Sequence, residues 1–156
     1  MSKGICIILI VSSNLKLINK TLFNLKKINY INDLYIISNS ESIKYIQDII
    51  NKNSFLSIPN KKIKYSSNIV EEINNCFSKT NSSYSIILNE GDYLDNGVLL
   101  SLIDIFTQNI ATKIIYSNSI FTNKSDNFLS YYPADNLDNL LEPNSYLKPI
   151  INSSVL

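Results

Sequence analysis

Residues 6–11, with the sequence Cys-Ile-Ile-Leu-Ile-Val, form a continuous apolar run close to the start of the chain. A run of this length that is rich in Ile is typical of a parallel strand covered on both faces. Lys3 before it and Ser12-Ser13 after it also fit a short signal sequence, and on the residues alone that alternative stays open. The strand interpretation makes residues 6–11 the first strand of a sheet.

Strand-like apolar runs alternate with helix-like patterns through the first two thirds of the chain. Four further strands are predicted, at Leu34–Ile37, Ile63–Tyr65, Tyr84–Leu88 and Ile114–Tyr116. Apolar residues at helical spacing predict one helix in each interval between strands. They are Leu15, Ile18, Leu22, Leu25 and Ile28, then Ile43, Ile46, Ile49 and Ile50, then Ile69, Ile73, Cys76 and Phe77, then Leu99, Leu102, Ile103 and Phe106. This order predicts an α/β fold with a mostly parallel sheet and helices on both faces, because right-handed crossovers place them there.

The regular pattern fades after Asn118. Residues 119–156 are predicted to be largely irregular, with one short helix near Leu137–Leu141, and Ile150–Ile151 fits the start of a further strand. The sequence contains no internal repeat and no linker-like stretch. Residues 1–156 are therefore interpreted as one domain.

The composition excludes several classes of chemistry. The 156 residues include 14 basic and 13 acidic side chains, for a net charge of +1, which gives no electrostatic reason to bind nucleic acid or an anionic membrane. All the basic residues are lysines and the chain has no His. It therefore lacks guanidinium forks for phosphate, His-based acid–base relays and His-ligated metal sites. No stretch approaches the roughly 20 apolar residues of a membrane span.

The cysteines and glycines of the chain argue against further classes of functional site. Cys6 and Cys76 fall in apolar stretches and are interpreted as small core residues, with a disulfide or redox role as the weaker alternative. The only glycines are Gly4, Gly91 and Gly97, so the chain has no glycine-rich phosphate loop. This argues against dinucleotide-binding and P-loop folds.

Polar segments follow four of the predicted strands, and the carboxyl ends of parallel strands share one rim of the sheet, where ligands bind. These segments are Ser12–Asn14, Ser38–Ser42, Ser66–Asn68 and Asn89–Asp92. Glu90 and Asp92, on a tight turn, could hold a divalent cation such as Mg²⁺ or Mn²⁺, which prefers oxygen ligands. On spacing alone, an ordinary turn with surface acids is favoured over a metal site. On the residues alone, Ser12–Asn14 is interpreted as a cap of the helix that follows rather than as a ligand contact, and Ser38–Ser42 has the same two interpretations.

In order and spacing, these segments resemble the family 2 glycosyltransferases, which have the GT-A fold. The first strand and its end, Cys6–Ser13 (CIILIVSS), stand where the family has Pro-x-Tyr-Asn, and Leu34–Ser42 (LYIISNSES) where it has Asp-Asp-Gly-Ser. Leu88–Leu94 (LNEGDYL) replaces its acidic motif Leu-Asp-x-Asp-Asp-x-Leu, and Ile114–Ser119 (IIYSNS) resembles its Val-x-Tyr-Ser-Asp. The resemblance covers nearly the whole chain, although no single motif is intact.

Most of the departures from the family pattern remove carboxylates. The positions of the family's acidic residues carry Asn39, Ser40, Asn89, Gly91 and Asn118. On this alignment Asp92 alone survives from the acidic motif, with Glu90 in its variable place. Asn is a weaker ligand than a carboxylate for a hard cation because it brings no charge.

The resemblance implies which residues form a nucleotide-sugar site. The ligand it implies is a UDP- or dTDP-type nucleotide sugar, with Mg²⁺ or Mn²⁺ as cofactor, and no residue matches a catalytic base. The implied nucleotide-binding residues are Ser12, Ser13, Ser40 and Asn89, and the implied metal ligands are Glu90 and Asp92.

The function implied by the resemblance is transfer of a sugar from a nucleotide-sugar donor to a cell-surface glycan or a lipid-linked acceptor. The expected location is the cytoplasm, including the inner face of the membrane. The alternative is a catalytically inactive GT-A-like module that binds or scaffolds a partner glycosyltransferase chain. A receiver-like domain is less favoured, because a receiver carries an Asp at the end of its third strand, where this chain has Ser66-Ser67-Asn68.

Overall fold

Helices and strands alternate along the first two thirds of the chain in the predicted order. The computed structural model describes residues 4–12, 14–38, 43–52, 58–109, 114–116, 119–122, 128–132 and 149–152. The helices are α1 (Leu15–Leu25), α2 (Ile43–Lys52), α3 (Ile69–Lys79) and α4 (Asn96–Gln108). The strands are β1 (Ile5–Val11), β2 (Ile31–Ser38), β3 (Asn60–Tyr65), β4 (Tyr84–Asn89), β5 (Ile114–Tyr116), β6 (Ser119–Thr122), β7 (Phe128–Tyr132) and β8 (Pro149–Asn152).

The main sheet has six strands in the order β3-β2-β1-β4-β8-β5. Strands β1 to β4 are mutually parallel, whereas β8 runs antiparallel to both of its neighbours, β4 and β5. The predicted α/β fold with a mostly parallel sheet is therefore confirmed. The predicted strand start at Ile150–Ile151 is also confirmed, as part of β8.

Side chains alternate across β1 and divide the core between the two faces of the sheet. Ile7 and Leu9 pack with residues of α1, α2 and α4, whereas Cys6 and Ile8 pack with residues of α3. All four are 0% exposed. Fully burying an Ile or Leu side chain contributes about 1.5–3 kcal/mol. Helices thus cover both faces, as predicted, and β1 is fixed from both sides.

Cys6 and Cys76 are free, buried thiols in the core on the α3 side of the sheet. Burial raises the pKa of Cys6 to about 12 and that of Cys76 to about 11. Both thiols are therefore neutral at physiological pH and poor nucleophiles. Their interpretation as small core residues is confirmed.

Residues beyond 118 contain more strand than the sequence pattern predicts. Strands β6 and β7 form a separate antiparallel pair in which Ser119 lies opposite Tyr132. These strands are short and mix polar with apolar residues, so they carry little periodic signal. The predicted helix near Leu137–Leu141 lies outside the described residues. No helix among the described residues has the length and apolar character needed to cross a bilayer.

Candidate functional site

The carboxyl ends of the parallel strands form one rim of the main sheet. Val11 of β1 lies opposite Ser38 of β2, and Ser38 lies opposite Tyr65 of β3. On the other side of β1, Ile10 lies opposite Asn89 of β4. Neighbouring strands in a sheet are about 4.8 Å apart, so the residues that follow β1 and β4 are close in space although they are far apart in sequence.

Ser12 and Glu90 meet at this rim. The backbone N–H of Ser12 donates a hydrogen bond to Glu90 Oε2 at 2.9 Å, and the Ser12 hydroxyl donates to Glu90 Oε1. The backbone N–H of Glu90 in turn donates to the carbonyl oxygen of Ile10 at 3.0 Å. Two of the sequence-predicted site residues, 78 positions apart, are thus in direct contact.

Asp92 closes the turn that follows β4. Its Oδ2 accepts a hydrogen bond from the backbone N–H of Asn89 at 2.6 Å, and its own N–H donates to the carbonyl oxygen of Asn89 at 3.1 Å. Gly91, between the two acidic residues, has a φ of 93°, a conformation that favours glycine. The turn therefore fixes where both carboxylates leave the backbone.

Two polar residues of α1 hold this turn against the body of the domain. The Thr21 hydroxyl accepts from the N–H of Gly91 at 2.8 Å and donates to the carbonyl oxygen of Asp92 at 3.1 Å. The Asn24 side chain accepts from the N–H of Leu94 at 2.8 Å and donates to the carbonyl oxygen of Leu94 at 3.0 Å. Thr21 is 0% and Asn24 4% exposed.

Sequence reasoning missed Thr21 and Asn24. The available signal was their place on the helix: both lie on the side of α1 that carries the buried Ile18, Leu22 and Leu25. A buried polar side chain needs hydrogen-bond partners, so polar residues on an otherwise apolar helix face indicate a specific contact. The sequence gives no indication of which loop supplies that contact.

The acidic turn suits a cation that is brought by a phosphate ligand. Among the described residues, no group of three or more Asp, Glu, Cys or His side chains is placed to hold a metal ion. Glu90 and Asp92 supply two carboxylates, and Mg²⁺-type ions are commonly held by one or two carboxylates together with substrate phosphates and water. The donor set therefore fits a cation shared with a diphosphate.

The other polar residues at the strand ends either cap helices or lie outside the described residues. Asn14 caps α1 by accepting from the N–H of Leu17 at 3.3 Å, and Asn68 caps α3 by accepting from the N–H of Glu71 at 3.2 Å. The capping interpretation of Ser12–Asn14 is therefore confirmed at Asn14, and the cap at Asn68 was not predicted. Ser13 and Ser40 lie outside the described residues, as do Asn39 and Asn118.

Tyr65 is an exposed aromatic residue at the same rim. It ends β3 and its side chain is 57% exposed. Large aromatic side chains at a ligand-binding rim can stack on a base or a sugar, and each stacked base is worth about 1–3 kcal/mol by alanine substitution in single-stranded nucleic acid sites. The sequence pattern predicts Tyr65 only as the last residue of a strand.

Comparisons with known proteins identify the fold. No protein-family model and no curated protein sequence matches the chain. A crystal structure of S. aureus TarS, residues 1–349 in complex with UDP, matches with a TM-score of 0.66 at 11% identity, over 98% of this chain and 48% of that one. The mannosyltransferase PcManGT from Pyrobaculum calidifontis, in complex with GDP-Man and Mn²⁺, matches with a TM-score of 0.58 at 10% identity, over 94% of this chain and 44% of that one.

A nucleotidyltransferase shares the same architecture. A cytidylyltransferase from Leptospira borgpetersenii matches with a TM-score of 0.62 at 14% identity, over 97% of this chain and 61% of that one. The chain thus has the GT-A-like α/β fold found in glycosyltransferases and nucleotidyltransferases. It spans 48% of the TarS fragment and 44% of the mannosyltransferase, about half of their length.

Proposed function

We propose that this chain binds a nucleotide sugar of the UDP or dTDP type, with a divalent cation, at the rim formed by Ser12, Asn89, Glu90 and Asp92. The observation that carries the proposal is the contact between Ser12 and Glu90, which brings the end of β1 and the acidic turn after β4 to one place. Two fold neighbours have related ligands: TarS is in complex with the nucleotide UDP, and PcManGT with the nucleotide sugar GDP-Man and Mn²⁺.

The rim residues have distinct roles in this proposal. The carboxylates of Glu90 and Asp92 hold the cation, and the cation supplies positive charge that stabilises a leaving diphosphate. The Ser12 hydroxyl and N–H, now donated to Glu90, become available to the nucleotide when Glu90 turns to the cation. Tyr65, at the end of β3, offers its exposed ring to the base.

Transfer of the sugar needs groups beyond these. We assign no catalytic base among the described residues, so deprotonation of an acceptor hydroxyl depends on residues outside this set or on a partner glycosyltransferase chain. The biochemical class we propose is a glycosyltransferase-like donor-binding domain. Its acceptor is a cell-surface glycan or a lipid-linked glycan, and its location is cytoplasmic, including the inner face of the membrane.

The proposal is tested by thermal shift with UDP, dTDP, GDP and CDP, each at millimolar concentration with and without Mn²⁺. A ligand at ten times its Kd stabilises by about 1.4 kcal/mol, which raises the Tm of a domain of this size by roughly 3–6 °C. We expect this rise for UDP or dTDP with Mn²⁺, and its loss in Asp92→Asn. Asp104→Asn, which changes an exposed carboxylate on α4, is the matched control and retains the rise. No shift with any of the four nucleotides contradicts the proposal.

A second candidate function is a binding module that has lost transfer. It is favoured by Asn89, which stands at the first acidic position of the family motif, and by the engagement of both Glu90 oxygens with Ser12. Release of UDP from a UDP-sugar, measured with and without Mn²⁺, separates the two candidates. Binding without turnover supports the module, whereas Mn²⁺-dependent release of UDP supports an active transferase domain.

A further inference from the structure

We propose that Thr21 and Asn24 are positioning residues for the acidic turn and set its affinity for a cation–diphosphate ligand. This inference rests on the proposed function, since it concerns the same rim. Neither residue contacts the ligand in this proposal. Each acts through the backbone of residues 91–94, which carries Asp92 and adjoins Glu90.

Thr21 holds the backbone on both sides of the Gly91–Asp92 segment. Its single hydroxyl accepts from Gly91 N–H at 2.8 Å and donates to the Asp92 carbonyl at 3.1 Å. The two backbone groups belong to adjacent residues, so this one side chain fixes the orientation of the link between Glu90 and Asp92. A hydroxyl is suited to this contact because it is both a donor and an acceptor.

Asn24 fixes the far end of the same turn. Its side-chain oxygen accepts a hydrogen bond from the N–H of Leu94 at 2.8 Å, and its side-chain nitrogen donates one to the carbonyl oxygen of Leu94 at 3.0 Å. Thr21 and Asn24 are three residues apart in α1 and lie on neighbouring positions of one helix face. The turn is therefore attached at two points to the buried side of a helix that Ile18, Leu22 and Leu25 anchor in the core.

The attachment of the turn to α1 affects how well the turn can bind a cation. A cation shared with a diphosphate receives only two carboxylates from the turn, so its affinity depends on how well their geometry is fixed in advance. Removing an outer group that orients metal ligands typically lowers metal affinity by about 10–100-fold. A purely structural role for the same contacts predicts lost stability without this effect.

The test compares Kd for UDP in the presence and absence of Mn²⁺, at a temperature where circular dichroism shows every variant to be folded. Thr21→Val keeps the shape and removes the hydroxyl, and Asn24→Leu does the same for the amide. We expect each to raise the Mn²⁺-dependent Kd by about tenfold or more. Thr21→Ser, which retains the hydroxyl, restores the wild-type Kd to within about threefold, and the Kd measured without Mn²⁺ changes little in any variant.

The matched control is Thr80→Val, at the opposite, amino-terminal edge of the sheet. Thr80 donates to Asp33 at 2.7 Å and accepts from the N–H of Ser82 at 3.1 Å, so the control also loses a part-buried hydroxyl that both donates and accepts. It is expected to lower Tm without changing the Kd for UDP and Mn²⁺. If Thr21→Val and Asn24→Leu lower Tm and leave this Kd at the wild-type value, the positioning role is wrong.

A further variant covers the case in which an apolar substitution does not fold. Asn24→Ser keeps a small neutral polar side chain on this helix face but cannot reproduce both amide hydrogen bonds to Leu94 in the same geometry, and we expect it to weaken Mn²⁺-dependent binding by at least about threefold. Unchanged binding in this variant contradicts the inference for Asn24. If the wild-type protein itself does not bind UDP with Mn²⁺, the proposed function fails and this inference fails with it. If the wild type binds and the variants bind equally well, only this inference fails.

Discussion

Carboxylates lie at both ends of the parallel strands: at the carboxyl-end rim, and on the opposite side, where the strands begin, which we call the amino-terminal edge. The carboxylates at these two places are held in different ways. At the amino-terminal edge, Asp33 of β2 is 5% exposed. It accepts hydrogen bonds from Asn60 Nδ2 at 2.9 Å, Thr80 Oγ1 at 2.7 Å and Ser82 Oγ at 2.5 Å. At the carboxyl-end rim, Glu90 and Asp92 are partly exposed and accept from Ser12 and from the Asn89 backbone.

The carboxylates at the two places differ in their hydrogen-bond donors and in their exposure. The Asp33 carboxylate joins the starts of β2 and β3 to the segment before β4 through three hydrogen bonds, two of them part-buried and the one from Ser82 buried. The Ser12 donors of Glu90 are exposed, so water or a ligand can replace that contact at small cost. The buried Asp33 carboxylate serves the fold, whereas the partly exposed carboxylates of Glu90 and Asp92 can be reached from solvent, as the proposed ligand site requires.

The largest expected effect comes from Asp33→Ala. The substitution leaves the donors of Asn60, Thr80 and Ser82 without their acceptor, and hydrogen bonds to a charged group are worth about 1.5–3 kcal/mol each. Because part of this cluster can be reached by water, we expect a total loss of roughly 3–5 kcal/mol in the free energy of unfolding, measured by urea denaturation. Asp48→Ala, an exposed carboxylate on α2, is the control and changes stability by less than about 0.5 kcal/mol.

This variant also tests the contrast between the edges. Asp33→Ala is expected to leave the Kd for UDP and Mn²⁺ unchanged as long as the protein is folded. A loss of stability below about 1 kcal/mol, or a selective loss of ligand binding, would mean that the amino-terminal edge is not the purely structural one.

Alkaline pH gives the next largest effect, through the buried thiols on the α3 side of the sheet. Their pKa values rise from 9.0 to about 12 for Cys6 and to about 11 for Cys76 because burial disfavours the thiolate. Between pH 9 and 11 the unfolded chain has lost protons that the folded chain retains, so stability falls as pH rises. Each thiol contributes a slope of up to about 1.4 kcal/mol per pH unit.

The measurement is the free energy of unfolding between pH 8 and pH 11. Cys6→Ala lowers stability at every pH but is expected to flatten the decline above pH 9, since one titrating group is gone. Tyr35, whose pKa burial raises to about 12, still contributes a decline above pH 10 in this variant. An unchanged slope in Cys6→Ala would show that this thiol ionises in the folded protein, and the core on this face would then be more open than the structure indicates.

The fold was largely predictable because its central strands carry local signals. β1 and β4 are continuous apolar runs, and the helices between the strands carry regular apolar stripes. The prediction was shorter than the structure at β3, where Asn60-Lys61-Lys62 belong to the strand. β3 lies at the edge of the sheet, and charged residues are common on edge strands, so polarity there does not mark a loop.

The features that escaped prediction depend on distant parts of the chain. β8 inserts between β4 and β5, and a strand of four residues contains no information about which neighbours it will pair with. The rim was predictable as a location, because parallel strands must end together. The attachment of the acidic turn to Thr21 and Asn24 was not, because it joins residues 70 or 71 positions apart through side-chain hydrogen bonds.

The smallest expected effect concerns Gly91, and it sharpens the contrast between the edges. Its φ of 93° is unfavourable for residues with a Cβ, while a Cβ placed there would meet Leu17 Cδ2 at 3.4 Å, an ordinary contact. Gly91→Ala therefore suffers from backbone strain alone, and we expect a loss of about 1–2 kcal/mol in the free energy of unfolding. Gly91→Asn should lose less, because Asn adopts positive φ more readily than Ala. If Gly91→Ala lost as much stability as Asp33→Ala, the acidic turn would be as integral to the fold as the amino-terminal edge, and the division between a structural edge and a binding rim would fail.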